Sequence, residues 1–312
     1  MTGTLWDVST SYSSSTQNYI DSHLLLQDCF AKQWIQLIRV APNCFDRKRQ
    51  VFTRYGLYTP ERYEIVDESI CADLIWNRSM HNSSLFYIFW SLPIHPAPQF
   101  SSLSDDKLQQ YTLLKKYQPR TFLLHNFLNT KKVQLSFGET VVLKPRFWSG
   151  WVDVQLFKKK DFLDQKDDFV NLKKRMLVQQ YIDNSWGIPW LVPWRHDLRV
   201  VFLWNSIDHV SIRQPTDSEE FRSNVAVWWF ETIFTADVIT PELKALIESI
   251  QKSLHVNQEF YSLDFGYNLE ENKWYCFELN ASPWIEYTAL QSAFAEAYYT
   301  RLAIYFKSLF VV

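Results

Sequence analysis

The chain has 312 residues, 47% of them apolar and 21% charged, a balance that suits two or three packed subdomains and excludes a disordered or fibrous protein. Its net charge of −2 gives no electrostatic basis for binding nucleic acid or an anionic membrane. Aromatic residues at 17% against only six glycines predict a bulky core and stiff loops. Cys29, Cys44, Cys71 and Cys276 show no C-x-x-C spacing and read as reduced thiols of a cytoplasmic protein. The start, "MTGTLWDVSTSYSSSTQNY", has no basic stretch followed by an apolar one, so no signal peptide is expected. The longest apolar run, "SLFYIFWSLPI", is too short to span a bilayer and carries a proline.

In chain order, the first twenty residues are rich in Ser and Thr and read as a frayed arm. "WIQLIRVA", "ADLIWNRS" and "SSLFYIFWSLPI" read as strands with helical material between them, which predicts a small α/β subdomain over residues 1–100. "IHPAPQFSSLSD" reads as loop. "SDDKLQQYTLLKKYQ" reads as a helix capped by its Ser104, striped by Leu108, Tyr111 and Leu114, and ended by Pro119. From residue 139 strands take over: "ETVVLKP", "WVDVQLF" and "RMLVQQYI". A hairpin, "DLRVVFLWNSIDHVSIRQP", precedes a helix, "TPELKALIESIQKSL", with Pro241 in its first turn. A second hairpin, "EFYSLDFGYNLEENKWYCFELN", leads to a closing amphipathic helix over 288–310. No internal repeat is present.

The hairpins carry charges where a sheet tolerates them poorly. With its loop "NLEENK" centred near Glu271, the second hairpin sets Asp264 opposite Glu278, with Asn280 on the same face. Opposed carboxylates repel. A hard divalent cation such as Mg²⁺, or Mn²⁺ in its place, removes the repulsion, and on this reading deleting either carboxylate leaves stability intact or raised. The alternative is a solvated sheet face near a turn, with no metal. In the first hairpin, a turn at "NSID" sets Arg199 opposite Arg213, a pair that calls for a phosphate or carboxylate between the guanidiniums, the alternatives being two arginines stretched into water or a register shifted by one. Lys144, closing the apolar strand "TVVLKP", calls for an anionic partner as well, whereas Lys107 at a helix start is by itself an ordinary surface residue. No P-loop, G-x-G-x-x-G, H-E-x-x-H or G-x-S-x-G occurs, and His196 beside Asp197 reads as structural.

The order of the stretches "SDDKLQQYTLLKKY", "VVLKPRFWSGWVDV", "LVQQYID", "HDLRVVFLWN", "FRSN" and "LDFGY…FELNASP" resembles the ATP-grasp superfamily, above all its ribosomal-protein glutamate ligase and peptide-ligase branch. The resemblance implies an α+β / α/β fold in which two α+β lobes clasp ATP behind a small N-terminal α/β subdomain: 1–100 the pre-ATP-grasp subdomain, 101–182 the central lobe, and 183–312 the C-terminal lobe with the metal site. It implies that Lys107 and Lys144 hold phosphates, Gln180 and Tyr181 meet adenine at an interdomain hinge, and Asp197 holds the ribose. Arg222, Ser223 and Asn224 then meet the terminal phosphates, Asp264, Glu278 and Asn280 ligate Mg²⁺, and Arg199, Arg213 and Arg222 form the positive cluster over an acyl phosphate. The implied activity is ATP-dependent carboxylate–amine ligation on a small-molecule or peptide acceptor, in a cytoplasmic protein that can form a homo-oligomer. Bulky residues depart from the pattern at Phe147, Trp148 and Trp151, in "VAVWW" after "FRSN", and at Trp284. They bear on the acceptor side and leave open a nucleotide-binding scaffold without turnover, while "WIEY" after the E-x-N resembles the graspetide-type macrocyclases.

Overall fold

Residues 3–8, expected to fray, instead form an inner strand of a sheet. In the computed structural model, which describes residues 3–8, 17–78, 92–147, 154–169, 172, 175–215, 229–256, 259–281, 283 and 292–310, β1 (Gly3–Val8) is followed by α1 (Gln17–Ala31) and β2 (Ile35–Val40). A short hairpin β3 (Phe45–Asp46) and β4 (Val51–Phe52) comes next, then β5 (Tyr55–Tyr58), β6 (Tyr63–Val66), β7 (Leu74–Asn77) and β8 (Ile94–His95). The sheet order is β6-β5-β2-β1-β7-β8. β1 pairs in parallel with β2 from Gly3↔Ile35 to Val8↔Val40, and with β7 from Leu5↔Leu74 to Val8↔Asn77. Main-chain bonding on both sides fixes a strand that the Ser/Thr-rich composition around it disguises. The candidate strand "SSLFYIFWSLPI" lies mostly outside the described residues.

The chain divides into two compact units, Met1–Ser101 with Ser282–Val312, and Ser102–Ala281. α2 (Pro98–Asp105) runs across that division, and α3 (Lys107–Leu114) opens the second unit. The stretch "IHPAPQFSSLSD", expected to be loop, holds α2, and the predicted helix begins at Lys107 and not after Ser104. Ser104 lies inside α2, while Asp106 has extended backbone and caps α3, accepting from the backbone N–H groups of Leu108 and Gln109. Its buried face is Gln110 and Leu114, not the Leu108–Tyr111–Leu114 stripe.

Two antiparallel sheets follow within the second unit. β9 (Thr121–Leu123), α4 (Leu124–Asn129), α5 (Lys131–Leu135), β10 (Thr140–Pro145), β11 (Gln155–Lys158), α6 (Lys159–Asp164) and β12 (Met176–Gln180) build the first, in the order β11-β10-β12-β9. Its core is Leu124, Phe127, Phe137, Val141, Leu143, Phe162, Phe169, Met176 and Val178, which accounts for the aromatic richness of this stretch. β13 (Asp197–Leu203), β14 (Ser206–Pro215), β15 (Trp229–Phe234), α7 (Pro241–Leu254), β16 (Tyr261–Asn268) and β17 (Lys273–Asn280) supply the second sheet, ordered β15-β14-β13-β16-β17. α7 begins as predicted with Pro241 in its first turn, and the Thr240 side chain caps it. The last helix, α8 (Ser292–Leu309), belongs to the first unit, whereas the sequence reading carries the last lobe through residue 312. In that unit Phe306 packs on Trp76 and Phe30, with ring centroids 4.8 and 5.8 Å away.

Two register details decide where the charges fall. The β13–β14 turn is the two-residue Trp204-Asn205, both at positive φ (50° and 63°), the backbone that matches strand twist in a tight hairpin. It sits earlier than the expected "NSID" centre, so Arg213 faces Asp197 and Arg199 faces Ser211. The two arginines share a face without being opposed. In the other hairpin, Phe265 pairs with Cys276 but Asp264 pairs with Glu278, so Phe277 is an extra residue bulged out of β17. Without that bulge Glu278 would project from the opposite face. The Phe277 ring fills the space where Gly266 has no side chain: a Cβ there would lie 2.3 Å from it.

Deletion of residues 1–8 removes an inner strand, and we expect it to abolish cooperative unfolding of the first unit. Circular dichroism during urea titration tests this; an unchanged transition would mean that the strand is dispensable.

Candidate active site

The second sheet of the Ser102–Ala281 unit carries a lattice of charge on one face. Cross-strand partners share a face, so one row reads Ser211, Arg199, Asp264 and Glu278 across β14, β13, β16 and β17. The next reads Glu231, Arg213 and Asp197 across β15, β14 and β13. Arg199 grips Asp264 with both arms, Nε to Oδ1 at 2.7 Å and Nη2 to Oδ2 at 2.8 Å. Arg213 donates to Asp197 and, at 3.2 Å, to Asp264 Oδ2. Asn280 Nδ2 donates to the same oxygen at 3.1 Å. Asp264 and Glu278 are therefore opposed, as the sequence predicts, but each already has a cation. For Glu278 it is Lys107 at the start of α3, with Nζ 2.9 Å from Oε1.

The expectation that one guanidinium faces the other across an external anion is corrected: carboxylates of the sheet itself lie between and beside them. Asp197 is only 2% exposed, and its Oδ2 accepts from Arg213. Burial pushes its carboxyl above the ordinary range, and neighbouring Asp264 adds to the push against the pull of Arg213. For Asp264 burial acts in the same upward sense, but Arg199 and Arg213 outweigh it and hold the carboxyl low. Arg199 is held charged: burial opposes its charge, and Asp264 more than offsets the penalty.

Lys144 joins the cluster from β10. Burial pulls its ammonium down to about 8 from an ordinary 10.5, Lys107 lowers it further, and Glu278 only partly compensates. The end of its strand is pinned two residues on, where Arg146 forms a two-armed pair with Asp106 at 2.8 and 2.6 Å. Gln180 and Tyr181 bond to other groups. Gln180 closes β12, its N–H bonded to Arg120 O at 2.8 Å. The Tyr181 hydroxyl accepts from Arg195 at 3.0 Å and donates to Asp183 at 3.3 Å. His196 is structural, its Nε2 accepting from the Tyr267 N–H at 3.1 Å, and burial lowers it to about 4. Arg222, Ser223 and Asn224 lie outside the described residues, as do Trp148, Trp151 and Trp284.

Sequence reasoning missed Asp106, Arg146, Gln110 and Glu231. "SDDK" did carry a cap signal for Asp106, and Arg146 follows the flagged Lys144 by two. Glu231 had no signal, since its role depends on a pairing with β14. Among the described residues no group of three His, Cys, Asp or Glu side chains could hold a metal ion; the donor set on offer is two carboxylates and the carboxamide of Asn280. All four cysteines are free thiols, and no helix among the described residues is long and apolar enough to cross a membrane.

No protein-family model matches the sequence, and no curated protein matches it significantly. Solved structures do match in three dimensions, and the chain has the fold of the ATP-grasp ligases. A D-alanine–D-alanine ligase from Bacillus anthracis, complexed with ATP, superposes with a TM-score of 0.66 at 11% identity, over 100% of this chain and 97% of that one. A RimK-domain ATP-grasp protein from Sphaerobacter thermophilus gives 0.60 at 14% identity, over 96% and 98%. The ATP-grasp ligase PsnB, complexed with a precursor variant, Mg and ADP, gives 0.61 at 12% identity, over 96% and 98%.

Asp264→Ala strips both arginines of a shared partner, so we expect it to destabilise by about 3–5 kcal/mol, as loss of one member of a buried ion pair does. Urea denaturation measures this, and unchanged or raised stability would restore the picture of bare carboxylate repulsion. Lys144 works in the opposite sense. The folded protein releases this proton near pH 8 and the unfolded chain only near 10.5, so stability rises with pH across that window and carries a fixed penalty below it. Lys144→Met is expected to gain roughly 2–3 kcal/mol at pH 7 and to lose the rise between pH 8 and 10. A destabilised variant would mean that the ammonium has a strong internal partner.

Proposed function

We propose that the protein is an ATP-dependent carboxylate–amine ligase acting through an acyl phosphate on a peptide or small amino compound. The observation that carries the reading is the convergence of Lys107, Lys144 and Arg199 on Asp264, Glu278 and Asn280 in an ATP-grasp fold. The ATP and the Mg with ADP held by two of the similar structures support ATP and Mg²⁺ as its cofactors. The donor set fits such an ion. Carboxylate and carboxamide oxygens suit Mg²⁺, and Mn²⁺ equally. Asp264 Oδ1 takes one bond from Arg199 while Oδ2 takes the other three, so Oδ1 keeps acceptor capacity. Asp264, Glu278 and Asn280 would hold the ion, which when bound neutralises phosphate charge.

The chain's own contribution is positioning and charge. Lys107 and Lys144 bind phosphate oxygens. A substrate carboxylate attacks the γ-phosphorus, ADP leaves, and an amine then displaces phosphate from the acyl carbon. Arg199, whose side chain is 14% exposed against 7% for Arg213, is the arginine better placed to meet the transferred phosphoryl group. Asp197, with its grip on Arg213, and Arg213 itself serve it from beneath. Arg222, Ser223 and Asn224 are assigned to the terminal phosphates, and Gln180 with Tyr181 to adenine, by resemblance alone.

A peptide acceptor is the finer reading that one observation favours. The loop after Tyr181 exposes Trp186, Trp190 and Trp194 at 62, 51 and 46%, side chains of the type that contribute large contact area to a bound chain. A macrocyclase of the graspetide kind is the specific case in which both reacting groups lie on one peptide.

Incubation of the protein with ATP and Mg²⁺ against panels of amino compounds and peptides, with ADP release coupled to mass spectrometry, tests the proposal. ADP is expected only with an acceptor, together with a condensed product. ATP binding with no ADP under any acceptor would instead identify a nucleotide-binding scaffold.

A further inference from the structure

We propose that Gln110 is a positioning residue that sets the main-chain register of the metal-ligand strand, an inference that rests on the ligase reading above. β17 is the outer strand of its sheet, so the backbone groups on its far side have no ladder partner; the Cys276 N–H there bonds to Tyr117 O at 2.9 Å, and past that point the edge depends on other groups against slipping or bulging. It has already bulged at Phe277. Glu278 and Asn280 flank Leu279, and only one register turns both toward Asp264.

Gln110 closes that edge. Its Oε1 accepts from the Leu279 N–H at 2.9 Å, and its Nε2 donates to Leu279 O at 3.1 Å and to Ser104 O at 2.6 Å. A primary amide is the neutral side chain that offers a donor and an acceptor side by side, so Gln110 bonds Leu279 as one more strand would. It is 1% exposed, so a lost bond is not replaced by water. The Ser104 hydroxyl continues the clamp, donating to Leu279 O at 3.2 Å and accepting from the Ala281 N–H at 2.9 Å. Lys107, one turn before Gln110 on α3, holds the Glu278 carboxylate. One helical turn thus fixes the backbone between two metal ligands and the side chain of one of them. Gln110 touches neither metal nor phosphate; it acts through Leu279.

The test is Mn²⁺ binding, read by electron paramagnetic resonance in the presence of a non-hydrolysable ATP analogue, on the full chain. Gln110→Leu keeps the bulk and loses all three side-chain bonds, two to Leu279 and one to Ser104. It is expected to weaken Mn²⁺ about tenfold and to alter the spectrum of the bound ion, while affinity for the analogue without metal changes less than twofold. Unchanged Mn²⁺ affinity in a folded Gln110→Leu protein would overturn the proposal, as would equal losses with and without metal. Should that variant not fold, Ser104→Ala decides: about threefold weaker Mn²⁺ binding supports the clamp, and no change overturns it. Failure of the wild-type protein to bind Mn²⁺ with the analogue would sink the ligase reading itself, and the inference with it.

Discussion

The site depends on the neutralisation of one unfavourable pair. Asp264 and Glu278 face each other across β16 and β17, and opposed carboxylates destabilise a sheet unless cations offset them. The cations come from different pieces of chain: Arg199 from the adjacent strand β13 and Lys107 from the first turn of α3. Folding the unit therefore assembles the charge pattern. Strand pairing alone would leave Glu278 uncompensated, and α3 alone would leave Lys107 close to Lys144 without the carboxylate that tempers their repulsion.

Buried ionic networks of this kind contribute little net stability, because desolvation offsets most of the attraction. Hydrophobic burial elsewhere in the unit, such as the Phe-rich cluster beneath β10 and β12, carries the fold. That division of labour lets the polar face be shaped by chemistry. Lys144 illustrates it: an ammonium kept in an apolar strand lowers stability at neutral pH, yet gives the site a cation whose charge responds to an arriving anion.

Much of this was legible from residue types and spacing. The apolar run in "TVVLKP", the proline that opens "PELKALIESI" and the E-x-N beside a strand aspartate identified the elements and their order. The facing of Asp264 and Glu278 was also predicted, though from a loop centre that omitted the Phe277 bulge, whose extra residue restores the match. The β13–β14 register was misjudged because Trp204 does not look like a residue at positive φ, the backbone a tight turn requires. β1 was hidden because its strand character lies in pairing with β2 and β7, not in its own composition. Gln110 was invisible for a similar reason: a glutamine on a helix, here beside Gln109, reads as solvent-facing until β17 is set beside it.

The central claim is that this sheet face is a nucleotide-phosphate and divalent-metal site. A crystal structure with Mn²⁺ and a non-hydrolysable ATP analogue, analysed by anomalous scattering at the manganese edge, tests it most directly. The account predicts a peak within direct ligand distance of Asp264, Glu278 and Asn280, with phosphate density against Lys107 and Lys144. Analogue or metal bound elsewhere, with the Arg199–Asp264 and Lys107–Glu278 pairs undisturbed and no density beside them, would contradict it.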